Sequence, residues 1–373
     1  LKLVICSNHS YEHTGGTEIT IAAIAEGLSK TYGYSSTILS RSVKNDMSHN
    51  GVTILRCMND GKKFLEQLKN ISPDNVFVYS DCFMFWPDIL NNVEILPGRC
   101  SIALVGMNNM LSNRKLLSIF KRKHFFFRAI THSDNYQDYI ICKDEGIPVH
   151  VIPNGVDAKE FVDTVDFRRK YGVQTKYMIL CVSNFFPGKG QEYLLPVLDE
   201  LYRKLPEFTA VFICTTVNFY VANNIRDRFR AQLKKVKFPN KLLSDIPRED
   251  VASAFVAADV FAFPSQKEVA PLVVLESMAA HTPWVALPVG NVPKIRGGRI
   301  SPIRAKNSEG YAIFGKETHE YFVQWLYDIL TNDVLREQLI HDGYEQIISD
   351  FTWNKIIPMY HQLFNQAQNG SSG

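Results

Sequence analysis

No two cysteines in this chain are spaced as C-x-x-C. The seven that occur, at 6, 57, 82, 100, 142, 181 and 214, are scattered and odd in number. Such a distribution excludes a zinc knuckle or a disulfide framework and suits a reducing compartment. No apolar run reaches the roughly 18 residues that a membrane-spanning helix needs, and no signal peptide opens the sequence. A cytoplasmic location without a transmembrane segment is therefore expected. Tandem repeats and low-complexity tracts are missing as well, apart from a flexible tail at 367–373 that ends in NGSSG. The net charge is only +3, so no global excess marks a nucleic-acid or membrane protein.

What is present is a globular composition, 46% hydrophobic and 21% charged, over 373 residues. That length exceeds one comfortable core and points to two domains. "LKLVICS" (1–7) reads as a strand, followed by a glycine-bearing loop and an apolar helix that Thr17 caps and Gly33 ends. Strand-like runs recur at 35–40, 75–80, 101–106, 128–133 and 149–154, with helical stretches between several of them. The pattern restarts with a strand at 177–184, a helix at 191–205 and a strand at 208–216. It continues with a helix at 248–258 and a strand at 259–265. This alternation predicts an α/β protein of two Rossmann-like domains. Their expected extents are 1–157, joined by a returning helix at about 351–366, and 158–350.

The segment "EVAPLVVLESMAAH" (268–281) sets two carboxylates, Glu268 and Glu276, around seven residues without a polar side chain. Pro271 suits the first turn of a helix, because no intrahelical acceptor awaits its missing N–H. A helix starting there leaves Glu268 in the preceding loop, and Pro271 and Leu272 at a terminus suited to phosphate. The helix is apolar nearly all round, so Glu276 is expected to be buried, which is costly without partners. Two readings stand at this point. Glu268 complements the helix dipole and Glu276 meets a structural arginine or water, or both carboxylates accept hydrogen bonds from a polyhydroxylated ligand.

Residues 259–286, "DVFAFPSQKEVAPLVVLESMAAHTPWVA", resemble the donor-site signature of the retaining glycosyltransferases of GT-B fold (glycosyl transferases group 1, family 4 type). Four further stretches agree in order: "HTGGTE" (13–18), "VHVIPNGVD" (149–157), "VSNFFPGKGQEYLL" (182–195) and "FTWNKII" (351–357). The resemblance implies two facing Rossmann-like domains and transfer of a hexose from a nucleotide sugar, with a uridine diphosphate sugar as the expected donor. It implies that Glu276 binds the ribose hydroxyls, Glu268 the transferred sugar, and Lys189 the departing diphosphate. Gly15 and Gly16 would let backbone approach the phosphates. Neither cofactor nor metal is implied, and the chain has no D-x-D arrangement to clamp a Mg²⁺–diphosphate. Three departures accompany the match. Asn184 stands where the family has a phosphate arginine, Val269-Ala270-Pro271 replace glycines, and Lys294 follows Pro293 where glutamate is usual. The family's N-domain histidine has no counterpart near 105–110, where Asn108 and Asn109 are the candidates.

No acidic residue lies between Glu94 and Asp134, whereas Arg99, Arg114, Lys115, Lys121, Arg122, Lys123 and Arg128 do. A second basic run spans 225–241, and a third carries Lys294, Arg296, Arg299, Arg304 and Lys306. Solvated helix faces explain such runs singly. Together they favour an anionic acceptor met by Arg114, Lys115, Lys121, Arg122 and Lys123, either nucleic acid or an acidic membrane surface. Lipid-linked and cell-wall polymer acceptors, a DNA-modifying enzyme acting on a modified base, and a non-catalytic nucleotide-sugar-binding protein are the alternatives this leaves open.

Overall fold

The computed structural model describes residues 1–8, 15–40, 43, 45–57, 61–79, 86–105, 110–215, 220–302 and 306–366. Asn108, Asn109, Arg304, Cys82 and the 367–373 tail lie outside the described residues. The chain divides into two compact units. Residues 1–155 and the chain from Trp353 onward form the first, and Val156–Thr352 the second.

The first unit holds strands β1 (Lys2–Ser7), β2 (Ser35–Ser40), β3 (Met47–His49), β4 (Val52–Arg56), β5 (Asn75–Tyr79), β6 (Arg99–Ala103), β7 (Phe127–Thr131) and β8 (Val149–Val151). They form one sheet in the order β3-β4-β2-β1-β5-β6-β7-β8, parallel except for the β3–β4 hairpin. Asn50 and Gly51, both at positive φ, turn that hairpin, as a two-residue connection between twisted strands demands. Helices α1 (Gly16–Tyr32), α2 (Gly61–Ile71), α3 (Trp86–Asn91), α4 (Arg114–Lys123) and α5 (Gln137–Asp144) link the strands. The near-continuous apolar strands follow from burial on both faces; all five residues of β5 are buried.

The second unit carries α6 (Phe167–Tyr171), β9 (Tyr177–Val182), α7 (Gln191–Lys204), β10 (Phe208–Cys214), α8 (Tyr220–Leu233), β11 (Asn240–Ser244), α9 (Arg248–Ala257), β12 (Val260–Phe263), α10 (Leu272–Ala279), β13 (Trp284–Ala286), β14 (Gly298–Ile300), α11 (Lys316–Thr331) and α12 (Asp333–Gln346). Its sheet is wholly parallel, in the order β11-β10-β9-β12-β13-β14. The chain thus leaves β9 towards one edge and returns at β12 towards the other. The crevice where that reversal occurs, at the carboxyl ends of β9 and β12, is where open α/β sheets bind ligands. In the first sheet the same reversal lies between β1 and β5.

The last helix, α13 (Trp353–Asn365), returns to the first unit. Its Ile356, Ile357, Tyr360, Leu363 and Phe364 join Ile21, Ile24, Leu28 and Phe77 in one core cluster. Gly27 of α1 permits the close approach, since a Cβ there would lie 2.6 Å from Ile357. Arg99 donates to the Phe364 carbonyl at 2.9 Å, and Arg128 donates to that of Gln366. Both cations therefore serve the carboxyl end of a helix. This removes two members of the first basic run from any ligand surface.

Local details differ from expectation in three places. Gly15, not Thr17, occupies the cap position of α1, without a side-chain cap bond, and Thr17 lies inside the helix. The hairpin β3–β4 and the strands β11, β13 and β14 escaped the reading of the sequence, β11 because its "NKLLS" begins inside a basic run. The second run is split: Arg228 and Arg230 are exposed on α8, and Lys234, Lys235 and Lys237 are exposed in the segment after it, while Arg299 of the third run lies over the Trp325 ring at 4.8 Å. Six cysteines are free and buried. No helix among the described residues is long and apolar enough to cross a membrane.

At the end of β7, His132 is buried with its Nδ1 donating to the Ile152 carbonyl at 2.7 Å. Its Nε2 faces the Tyr79 hydroxyl at 3.0 Å and accepts from it. Burial pulls its pKa down to about 4. The unfolded chain, with an ordinary histidine near 6.5, therefore binds more protons across that window. Stability is fully present above pH 6.5 and falls as pH drops towards 4, by roughly 3 kcal/mol from this group. Urea unfolding of the first unit over that pH range tests this, and His132→Gln is expected to flatten this part of the profile.

Candidate active site

Three loops at the carboxyl edge of the second sheet build the site. The loop after β9 carries Asn184 and Lys189, the loop after β12 carries Ser265 and Glu268, and the loop after β13 carries Gly290. Gly190, with φ +75°, brings the first loop against the second, because a Cβ there would lie 2.4 Å from the Pro264 carbonyl oxygen. The Gln266 N–H donates to the Gly188 carbonyl at 2.7 Å and joins them. Gly290, with φ +53°, brings the third loop onto the second in the same way. A Cβ at 290 would sit 2.1 Å from the Val269 carbonyl oxygen, which also accepts the Asn291 N–H at 3.0 Å.

These approaches set Lys189 beside Glu268. Lys189 Nζ lies 2.6 Å from Glu268 Oε1, and the Ser265 hydroxyl donates to the same oxygen at 2.6 Å. The two side chains are 17% and 9% exposed, so the pair is largely withdrawn from solvent. Ser265 is fully buried and also lies 3.4 Å from the Gly188 carbonyl. Asn184 ties its loop to the end of β10, its Oδ1 accepting the Thr215 N–H at 3.0 Å. A cavity of about 330 Å³ adjoins these loops, lined by Gly188, Tyr193, Gln266, Asn307, Tyr311 and Phe314 among others. Neither Lys189 nor Glu268 lines it, so it marks a neighbouring hollow rather than the ion pair itself.

Beyond Glu268 the chain reaches α10, whose first residue is Leu272, with Pro271 at the cap. Seven of its eight residues are buried, including Glu276 at 4% exposure. The partner that satisfies Glu276 is Arg248, the first residue of α9, whose Nη2 lies 2.5 Å from Glu276 Oε1. Arg248 also donates through Nε and Nη2 to Glu160 Oε2, at 2.9 and 2.7 Å. Burial pulls the arginine pKa down, but the charges of Glu276 and Glu160 outweigh it and raise the value above its ordinary range. Of the two readings of Glu276, the structural arginine is thus present. Sequence reasoning did not name Arg248 or Glu160. They are 28 and 116 positions from Glu276 and carry no local signal beyond their charge.

The other expected site residues belong to the first unit. Gly15 and Gly16 open α1 in the loop after β1, at that sheet's point of reversal. Arg114, Lys115, Lys121, Arg122 and Lys123 all lie on α4, whose apolar face packs into the core through Leu116, Leu117, Ile119 and Phe120. Asn113 caps this helix, its Oδ1 accepting from the N–H groups of Lys115 and Leu116 at 3.0 and 3.3 Å. Lys123 is paired with Glu94 at 2.6 Å and Lys121 with Glu145, while Arg114, Lys115 and Arg122 are exposed. Among the described residues no group of three or more His, Cys, Asp or Glu could hold a metal ion.

Two parallel-sheet α/β units, the second with paired charges at its switch point, define the GT-B class of fold. Solved structures agree: Anabaena HepE in complex with UDP and glucose superposes with a TM-score of 0.76 at 14% identity, over 98% of this chain and 99% of that one. Residues 163–346, within the second unit, match the family described as Glycosyl transferases group 1. An uncharacterized glycosyltransferase of Methanocaldococcus jannaschii is 24% identical over 74% of this chain and 67% of its own length. A GDP-mannose-dependent alpha-(1-6)-phosphatidylinositol monomannoside mannosyltransferase of Mycolicibacterium smegmatis is 30% identical over 38% of this chain. That match spans only 39% of the relative's length.

The loop geometry makes Gly290 the sensitive position. Gly290→Ala is expected to cost about 2 kcal/mol, because a positive φ and a backbone carbonyl are both in the way. That corresponds to a fall of roughly 4–8 °C in the melting temperature of the second unit. Val334→Ala, at a side chain 82% exposed in the same unit, is the control and should change little.

Proposed function

We propose that the protein is a retaining, metal-independent glycosyltransferase that moves a hexose from a nucleotide sugar to an acceptor. The observation that carries this reading is the Lys189–Glu268 pair at the β9/β12 switch point. Without donor, the two charges neutralise each other in a site largely closed to water. An incoming diphosphate offers Lys189 a stronger anion and releases Glu268 to accept hydrogen bonds from sugar hydroxyls. Lys189 then stabilises the charge that builds on the diphosphate as the glycosidic bond breaks, in a setting where such a charge counts for more than in water. Ser265 holds the carboxylate in place through the exchange, and Glu276 takes the ribose.

A uridine diphosphate sugar is the first donor to try, since HepE was solved with UDP and glucose. The mannosyltransferase relative, named as GDP-mannose-dependent, makes guanosine diphosphate sugars the second. With a panel of UDP-, GDP- and ADP-sugars, release of nucleoside diphosphate is expected for one base, without added metal and undiminished by a chelator. Glu268→Ala and Lys189→Ala should each lower kcat/KM by about 10²–10³-fold. NMR of the product should find the donor's anomeric configuration retained. Donor binding with no release at any acceptor would instead identify a non-catalytic sugar-nucleotide binder, the reading that Asn184 in place of an arginine favours.

For the acceptor, α4 presents Lys121 and Arg122 next to Phe125 and Phe126, which are 63% and 43% exposed. Ile95, adjacent to the Glu94 that pairs with Lys123, is 61% exposed. A phosphate backbone would satisfy the cations and leave the aromatic rings in water. An anionic lipid surface takes both, with rings entering the interface and cations meeting headgroups. The acceptor is therefore read as lipid-borne. Co-sedimentation with phosphatidylserine-containing vesicles, but not with neutral ones, is expected, and Phe125→Ser with Phe126→Ser should weaken it at least tenfold. Tight, salt-sensitive binding to duplex DNA without vesicle binding would favour the DNA-modifying alternative.

A further inference from the structure

The Glu160–Arg248–Glu276 cluster is more elaborate than burying one carboxylate requires. A single guanidinium would satisfy Glu276, yet Arg248 is itself held by a second carboxylate through Nε and Nη2. Arg248 is moreover the first residue of α9, where the positive end of the helix dipole disfavours a cation. Glu160 lies on a short 3-10 turn, Ala158–Phe161, fixed by the Asp157 carboxylate accepting the Lys159 N–H at 3.0 Å. The arginine is thus anchored from one side by a turn and directed on the other into α10.

Charge counting gives the arrangement a purpose. Arg248 alone would neutralise Glu276 and weaken it as an acceptor. With Glu160 on the opposite side, the three groups carry one net negative charge. The guanidinium fork fixes the position of Oε1 while part of its charge is spent on Glu160.

We propose that Arg248, anchored by Glu160, is a positioning residue that holds the Glu276 carboxylate aimed at the ribose diol of the donor nucleotide. This rests on the nucleotide-sugar reading of the site. It makes Arg248 and Glu160 determinants of affinity for the ribose hydroxyls, acting through Glu276 without touching the reacting atoms.

The test compares UDP with 2′-deoxyuridine diphosphate by titration calorimetry, and GDP with its 2′-deoxy form if the base is guanine. The wild type is expected to favour the ribonucleotide about tenfold, the worth of one well-placed hydrogen bond to a charged acceptor. Glu276→Gln sets the floor, with a preference within about twofold. Arg248→Gln should fall to that floor, Glu160→Gln should lie between, and Arg248→Lys should recover part of the preference. A merely structural role would weaken both nucleotides alike and leave their ratio unchanged. An unchanged ratio in folded Arg248→Gln, or in Glu160→Gln and Arg248→Lys should the first variant not fold, overturns the proposal. A wild type that binds nucleotide without preferring the 2′-hydroxyl also overturns it and leaves the donor reading intact. A wild type that binds none of UDP, GDP and ADP removes both.

Discussion

A carboxylate withdrawn from water must be paired or it will not stay ionised, and two of those in the second unit frame its candidate site. Transfer of an unpaired carboxylate into a protein interior costs several kcal/mol, more than one apolar helix can offset. Glu268 and Glu276 flank the start of α10, and each meets a cation supplied by a different element. Lys189 comes from the loop after β9 and Arg248 from the start of α9. Neither pairing could form unless β9, β12 and the two helices were packed as they are. The ion pairs therefore depend on the sheet order, and the segment 268–276 depends on the ion pairs.

Close backbone approach is the second constraint. The loops can bring their side chains together only because glycines at 190 and 290 let main chain touch main chain. Val269 illustrates how the site tolerates an unusual residue. Its side chain is buried while its carbonyl serves Asn291 and packs against Gly290. Asn184 is a comparable case. It lacks the charge of an arginine and spends its Oδ1 on the Thr215 backbone.

Much of the site was legible because its residues are close in sequence and obey helix rules. Glu268, Pro271 and Glu276 announce a helix start with carboxylates on either side of it, and the apolar residues between them announce burial. The central strands of both sheets were visible as β-branched runs, while the short β3, β4, β11, β13 and β14 were not. Less legible were the charge clusters. Seven basic residues between Glu94 and Asp134 looked like one surface, but Arg99 and Arg128 serve the end of α13, and Lys121 and Lys123 meet acids from α5's end and the segment before β6. Charge in sequence says nothing about which partner a long side chain will find.

The sequence by itself determined the α/β alternation, the burial of α10 and the candidacy of Glu268 and Glu276, since each follows from local pattern or spacing, whereas Lys189 became a candidate only through the family resemblance. Only the tertiary structure decided that Lys189 rests on Glu268, that Ser265 braces the same oxygen, and that Glu276 is satisfied by Arg248 with Glu160 behind it. Those pairings join positions as much as 116 residues apart. They exist because a parallel sheet gathers the carboxyl ends of distant strands, with the loops and helix starts that follow them, along one edge, a closeness that no local pattern encodes.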